Sequence, residues 1–245
     1  MASYLLFQLF GPMAAWGDIA IGERRHVFSQ PTKSAILGLV AGALGLRRTD
    51  QEKLSALHGG YGFASRVDSA GILLTDFHTA QTPPTRRGIT FRTRRDELAG
   101  RRSDLETILS YRDYHTDSFS VACLWALHDA PYPIEHLALA LRRPVFAPYL
   151  GRRSCSPSLP LDPRLVEAPN PIDALRGAAF PDDGALRGMV DSARSYYWEG
   201  DQGSALKPLQ TLRRRDVARS RIQWQFSERS EHHAVEEDAH VSQQD

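Results

Sequence analysis

Hydrophobic positions come in two patterns along this chain. Tyr4-Leu-Leu-Phe-Gln-Leu-Phe10 is apolar at nearly every position and stops at Gly11-Pro12, as a central strand covered on both faces would. From residue 34 to 46, Ile36, Leu37, Val40, Ala41 and Leu44 recur at helical spacing behind Pro31-Thr-Lys-Ser34, which predicts an amphipathic helix. Gly38, Gly42 and Gly45 fall on another face of it, where either another backbone approaches closely or the helix packs tightly on a sheet, the second being the expectation for Gly42 and Gly45. Tyr61 to Val67 and Ile72 to His78 read as strands around an Asp68-Ser-Ala-Gly71 turn, and Phe119 to Leu127 as a further strand. Pro133 to Leu141 predicts a helix with Ile134, Leu137, Ala138 and Leu141 inward. Val145 to Leu150 is the candidate for a last strand.

The order strand, helix, strand, strand, helix, strand predicts an α+β fold of the ferredoxin-like kind, the topology of RNA-recognition modules. That topology hosts many functions and decides none. The domain is expected over residues 1–156, with a basic arm inserted at 81–110 in which Ile89 to Arg95 is a candidate hairpin strand. Strand candidates at Ala193 to Glu199 and Ile222 to Ser227 predict a smaller C-terminal β subdomain over 157–227. Residues 228–245 hold six acids against one base and lack apolar periodicity, and read as a disordered acidic tail.

Charge adds a functional direction. Only Lys33, Lys53 and Lys207 are lysines among the 30 basic residues. The arginines stand in doublets such as Arg24-Arg25, Arg86-Arg87, Arg94-Arg95 and Arg152-Arg153. Arginine grips phosphate bidentately and stacks on bases; a GC-rich genome would produce the same bias. Net charge is +1, but the excess of acid lies in the tail, leaving a basic body suited to a polyanion. Two cysteines, Cys123 and Cys155, make neither a disulfide framework nor a zinc quartet, so no metal or cofactor is expected. No cationic stretch precedes the first apolar run, and the longest run, Ala35 to Leu46, is too short for a bilayer. A cytoplasmic protein without membrane contact is expected.

Candidate chemistry is uneven. Pro31-Thr-Lys-Ser34 lacks the glycines of a phosphate-binding P-loop, which excludes NTP hydrolysis by that device; Lys33 and Ser34 either hold one phosphate of a polymer or cap the helix. His78 and His115 flank the arm and are either an acid–base pair for metal-independent RNA cleavage or hydrogen-bonding strand-end residues. There is no G-x-S-x-G elbow and no carboxylate pair, so no catalytic residue is assigned. Tyr149-Leu-Gly-Arg-Arg-Ser154 is the strongest local candidate: Gly151 permits close approach, Arg152 and Arg153 supply forks, and Tyr149 and Ser154 supply hydroxyls. A solvated charged loop is the alternative.

Five segments in order resemble the CasD family of type I-E CRISPR Cascade subunits, within the RAMP group of RNA-binding proteins. They are Phe10-Gly-Pro-Met-Ala-Ala-Trp-Gly17, Pro31-Thr-Lys-Ser-Ala-Ile-Leu-Gly-Leu-Val-Ala-Gly-Ala-Leu-Gly45, Asp76-Phe-His-Thr79, Tyr111-Arg-Asp-Tyr-His115 and Pro148-Tyr-Leu-Gly-Arg-Arg-Ser-Cys155. The resemblance implies a non-catalytic subunit that holds the 5′ repeat-derived handle of the CRISPR RNA. Its implied partners are the CasC backbone subunit, the large CasA subunit, the other Cascade subunits and, indirectly, target DNA. The arm at 81–110 would be the family's thumb. RNA-contacting residues are then expected at Trp16, Arg24, Arg25, His26, Lys33 and Ser34 in the first two segments and the loop between them. The arm would add Arg86, Arg87, Arg92, Arg94 and Arg95. Beyond it, Tyr111, Arg112 and His115 would contribute, with Tyr149, Gly151, Arg152, Arg153 and Ser154 in the last loop. Related type I-C subunits cut RNA, which keeps an endoribonuclease as the alternative function; a protein-interaction module without RNA contact is a third.

Overall fold

The computed structural model describes residues 1–237 except 19, 21, 86, 87, 89, 101, 180–189, 201–205, 221, 222 and 224. The architecture is α+β, built from helices and largely antiparallel sheets. Strand β1 (Ala2–Phe10) is followed by short strands β2 (Met13–Ala14), β3 (Trp16–Gly17), β4 (Arg24–Arg25) and β5 (Val27–Phe28). Helices α1 (Lys33–Ala43) and α2 (Gln51–Gly60) lead into β6 (Tyr61–Ser69) and β7 (Ile72–Thr82). Then come α3 (Arg94–Leu98), β8 (Glu106–Thr116), β9 (Phe119–Ala126), α4 (Ile134–Arg142), β10 (Arg164–Ala168) and α5 (Pro171–Arg176). The chain ends in β11 (Ala193–Trp198), β12 (Gln210–Ser220) and β13 (Gln225–Glu237).

One seven-stranded sheet runs in the order β10-β1-β9-β6-β11-β13-β12. Its two faces explain the all-apolar β1. Leu5, Phe7 and Leu9 join a core with Ile36, Leu37, Leu57 and Leu137 from α1, α2 and α4. Tyr4 and Leu6 join a second core with Ile172 and Leu175 of α5 and with Tyr196 and Trp198. Both faces are covered, so no polar alternation is needed.

Helix α1 starts and stops as its sequence directs. The Thr32 side chain accepts from the Ala35 amide, an N-cap. At the other end Leu46 N–H reaches Ala41 O (2.9 Å) and Gly45 N–H reaches Gly42 O (3.1 Å), with Gly45 at φ +77°, the paired bonds of a Schellman stop that a side-chain-bearing residue would strain. The expected sheet packing is not what meets the glycines at this end: the Val145 side chain lies 3.1 Å from where a Gly45 Cβ would sit, and nothing lies within 4 Å of a Gly42 Cβ.

Several expectations are corrected. Val145 to Leu150 is no strand: Val145 N–H bonds Ala43 O and Phe146 N–H bonds Gly42 O, so the segment packs as a loop beneath α1, and β10 takes the sheet edge. In the region 157–227, β11 pairs with β6 and so continues the main sheet into β13 and β12. The segment Ile89 to Arg95 is not a hairpin strand; α3 begins at Arg94 behind a reciprocal Thr93–Asp96 capping box, and Ile89 lies outside the described residues. The acidic tail is not disordered from residue 228, since β13 runs to Glu237 and pairs with both β11 and β12. Residues 238–245 lie outside the described residues.

A charge network crosses β13 beside its ladders to β11 and β12. Arg229 donates to Asp216 (2.7 and 2.9 Å) and to Glu231 (2.6 Å). Asp216 Oδ2 accepts the Lys33 amide at 2.8 Å, and Lys33 Nζ donates to Glu199 at 2.5 Å. Glu199 also accepts the Phe63 amide at 3.0 Å, and Arg214 donates to Glu231 at 2.7 Å. Burial would favour neutral Arg229, but Asp216, Glu231 and Glu199 outweigh it and raise its pKa.

Candidate nucleic-acid interface

A smaller sheet stands off the main one. Strands β7 and β8 pair over their whole length, Ile72 with Thr116 through Thr82 with Glu106. The far edge of β8 takes β2 antiparallel and β4 parallel, Arg24 opposite Tyr111 and Arg25 opposite Arg112. The sheet is centred on Asp113, which is 2% exposed. Its carboxylate accepts from Thr75 Oγ1 (2.7 Å), His26 Nδ1 (3.0 Å) and Arg24 Nε (3.3 Å). Burial alone would raise the Asp113 pKa; the three hydrogen bonds and the Arg24 charge outweigh it, and the net shift is downward.

Alternation separates the arginine doublets. Successive strand residues point to opposite faces, so Arg24 shares a face with Tyr111, Phe77, Asp113 and Thr75, whereas Arg25 shares the other with Arg112, Asp76 and Tyr114. The loop 149–155 docks on the second face. Arg152 Cζ lies 4.7 Å from the centre of the Tyr114 ring; Arg152 Nη1 donates to Asp113 O (2.8 Å) and Nη2 to Arg25 O (3.1 Å). Gly151 has φ +86°, and a Cβ there would lie 1.9 Å from Ala15 O. Leu150 O accepts the Ala15 amide, Leu150 N–H reaches Cys155 O, and Cys155 N–H reaches Arg152 O. The Gly-Arg-Arg loop is therefore a built turn, with Arg152 spent inward and Tyr149, Arg153 and Ser154 exposed.

The other expected positions divide by exposure. Trp16 (1% exposed) and Lys33 (6%) lie in the interior, Trp16 in the main core and Lys33 in the charge network, so neither offers a surface contact. Ser34 is half-buried beside Thr32. Arg24, Arg25, His26, Tyr111 and Arg112 are exposed. At the arm's tip Arg92 and Arg95 are exposed, and Arg94 ties the tip down through Glu97 and Gln81 O. Arg86 and Arg87 lie outside the described residues. His115 is half-buried, and burial lowers its pKa against a backbone bond to Ala70 and the charge of Asp113. His78 pairs with Asp76 at 2.5 Å. The two histidines belong to rungs five residues apart, His78 opposite Ser110 and His115 opposite Leu73, and point to opposite faces. They do not form an acid–base pair.

Sequence reasoning missed Phe77. It is 53% exposed and opposes Tyr111, 37% exposed, with ring centres 5.1 Å apart. Tyr114, which carries the Arg152 cation–π contact, was missed as well. Strand alternation applied to Asp76-Phe-His-Thr79 and Tyr111-Arg-Asp-Tyr-His115 would have indicated both. Among the described residues, no group of three or more His, Cys, Asp or Glu is placed to hold a metal ion, and no helix is long and apolar enough to cross a membrane.

The class of protein follows from comparison with known families and structures. The family model described as "CRISPR-associated protein (Cas_Cas5)" matches residues 4–231. The chain is 36% identical over 175 residues to the CRISPR system Cascade subunit CasD of Escherichia coli strain K12, covering 71% of this chain and 76% of the relative. A chain of a CRISPR RNA-guided surveillance complex superposes with TM-score 0.66 at 25% identity, covering 96% of this chain and 90% of that one. A crystal structure of a Cas protein has the same fold, with TM-score 0.58 at 22% identity over 95% and 94% of the two chains. The chain belongs to the Cas5/CasD family.

Proposed function

We propose that this protein is a non-catalytic CRISPR RNA-binding subunit of a type I-E Cascade complex. It holds the 5′ repeat-derived handle and bridges to the CasC backbone subunit and to CasA. The observation that carries the reading is the Asp113 assembly. One buried carboxylate and its own main-chain oxygen tie β4, the β7–β8 hairpin and the Gly151–Ser154 turn together, leaving Arg24, Arg25, Arg112 and Arg153 exposed around it. Exposed forks on a rigid frame, Arg24 on one face and Arg25 and Arg112 on the other, suit an RNA backbone. We read β10-β1-β9-β6, with α1 and α4 between successive strands, as the ferredoxin-like core, supported by that strand order. The β7–β8 hairpin with its tip is the thumb, and Ile72, Leu74 and Ile108, all exposed along one of its faces, suit contact with the adjacent backbone subunit.

The test is binding of the full chain to the repeat-derived 5′ RNA across a salt series without divalent metal. Bound RNA is recovered on a denaturing gel. Retention with a negative salt slope and intact RNA is expected. Absence of retention overturns the reading, and specific cleavage lost in His115→Ala overturns its non-catalytic part.

A further inference from the structure

The arginines account for phosphates, but the first face of the hairpin sheet also carries aromatic side chains. Across three adjacent strands one row reads Phe77, Tyr111, Arg24, and the next reads Thr75, Asp113, His26. The second row is bonded together at Asp113, so the first is held on a fixed frame. Phe77 and Tyr111 are tilted by 42° with their centres 5.1 Å apart, and both remain exposed.

We infer that Phe77 and Tyr111 form a stacking platform for one unpaired nucleobase of the bound RNA, with Arg24 beside it for the adjoining phosphate; this rests on the RNA-binding reading above. Large aromatics kept in water on a preorganised strand pair gain most from a flat partner. The charge of the surroundings selects which partner. Arg24 lies in the same row with its side chain about half exposed, which suits a polyanion whose bases are free to stack, while Arg25 and Arg112 project from the other face. Every base presents a π-face, so the platform orders a nucleotide without reading its identity.

The test uses the full chain and repeat-derived 5′ RNAs carrying 2-aminopurine at successive positions, titrated against Phe77→Ala, Phe77→Leu, Phe77→Trp and Tyr111→Ala. The wild type is expected to quench one position. Phe77→Ala, Phe77→Leu and Tyr111→Ala should each weaken binding about tenfold, the scale of one lost stack. They should keep the salt slope and melting temperature and lose the quench, while Phe77→Trp keeps it. If the wild type retains RNA and these variants bind equally well, or if Phe77→Leu binds as wild type, the inference falls and the RNA reading stands. If the wild type retains no RNA, the RNA reading falls first. A Phe77→Ala protein that holds RNA normally but fails to join neighbouring subunits makes the pair a protein contact and overturns the inference.

Discussion

Arg152 gives one guanidinium nitrogen to the main-chain oxygen of Asp113, 2.8 Å away, and another to that of Arg25 at 3.1 Å. Its neighbour Arg153 faces solvent. The doublet therefore has two roles: Arg152 clamps the loop to the hairpin sheet, and Arg153 is left for a ligand. Arg153→Ala is expected to leave the melting temperature unchanged and to reduce the slope of log affinity against log salt by somewhat under one. Arg152→Ala removes both bonds and the contact with the Tyr114 ring, leaving the part-buried Asp113 carbonyl without this donor, and should destabilise the fold by about 1–3 kcal/mol. Thermal melts of the two variants beside their salt titrations separate the roles; equal melting temperatures for both would contradict this division.

The C-terminal charge network predicts that residues 228–237 are indispensable. Removing them takes away Arg229 and Glu231, leaving Asp216 without its guanidinium, β11 paired only with β6, and β12 without most of its ladder. A chain ending at residue 227 is expected to be insoluble or to lack a cooperative melt. Arg229→Ala alone should cost about 3–5 kcal/mol, because it leaves buried carboxylates uncompensated. Circular dichroism melts of both proteins decide; a truncated chain melting like the full one would refute the network's role.

Acid should loosen the hairpin sheet. The folded-state pKa of Asp113 lies below its ordinary value, so its contribution to stability is complete above about pH 4. It is lost as pH falls through the depressed folded-state value. Asp113→Asn is expected to be less stable than wild type at neutral pH and to lose less on acidification. Melting temperatures of the two proteins between pH 7 and about pH 3 should therefore converge; parallel curves would show that the carboxylate is not the linked group.

How far the sequence could be read depended on what fills each buried position. β1, α1 and α4 were legible because Leu5, Phe7, Ile36, Leu37, Leu137 and their neighbours bury apolar side chains at regular spacing. β13 was not, because several of its inward positions are charged: Glu231 is 1% exposed and Arg229 nearly as buried. Hydropathy reads such a strand as solvated. Val145 to Leu150 misled in the opposite sense, with Leu150 buried in a loop that never pairs as a strand. The site was legible in part. The Gly-Arg-Arg turn stood out by composition, but the division of labour between Arg152 and Arg153 depends on Asp113 and Arg25, far away in sequence. The interior places of Trp16 and Lys33 depend likewise on distant packing and on Glu199.

The base of the arm is a continuous ladder from Ile72–Thr116 to Thr82–Glu106, anchored through Thr75 to Asp113. Among the described residues of the tip, the bonds are local: the Thr93–Asp96 box and the Arg94 contacts to Glu97 and Gln81. Stability should therefore be graded along it. Hydrogen exchange on the free protein is expected to show strong protection at the end of the ladder nearest Asp113, falling towards Thr82 and Glu106, with fast exchange between 90 and 100. Replacing residues 83–105 by a short Gly-Ser turn should leave the melting temperature nearly unchanged, since loop-closure entropy varies slowly with length. RNA affinity should fall by the contribution of Arg92 and Arg95. Uniformly fast exchange from 72 to 116 would show that the ladder does not form without partners, and the rigid frame argued for Phe77 and Tyr111 would be lost with it.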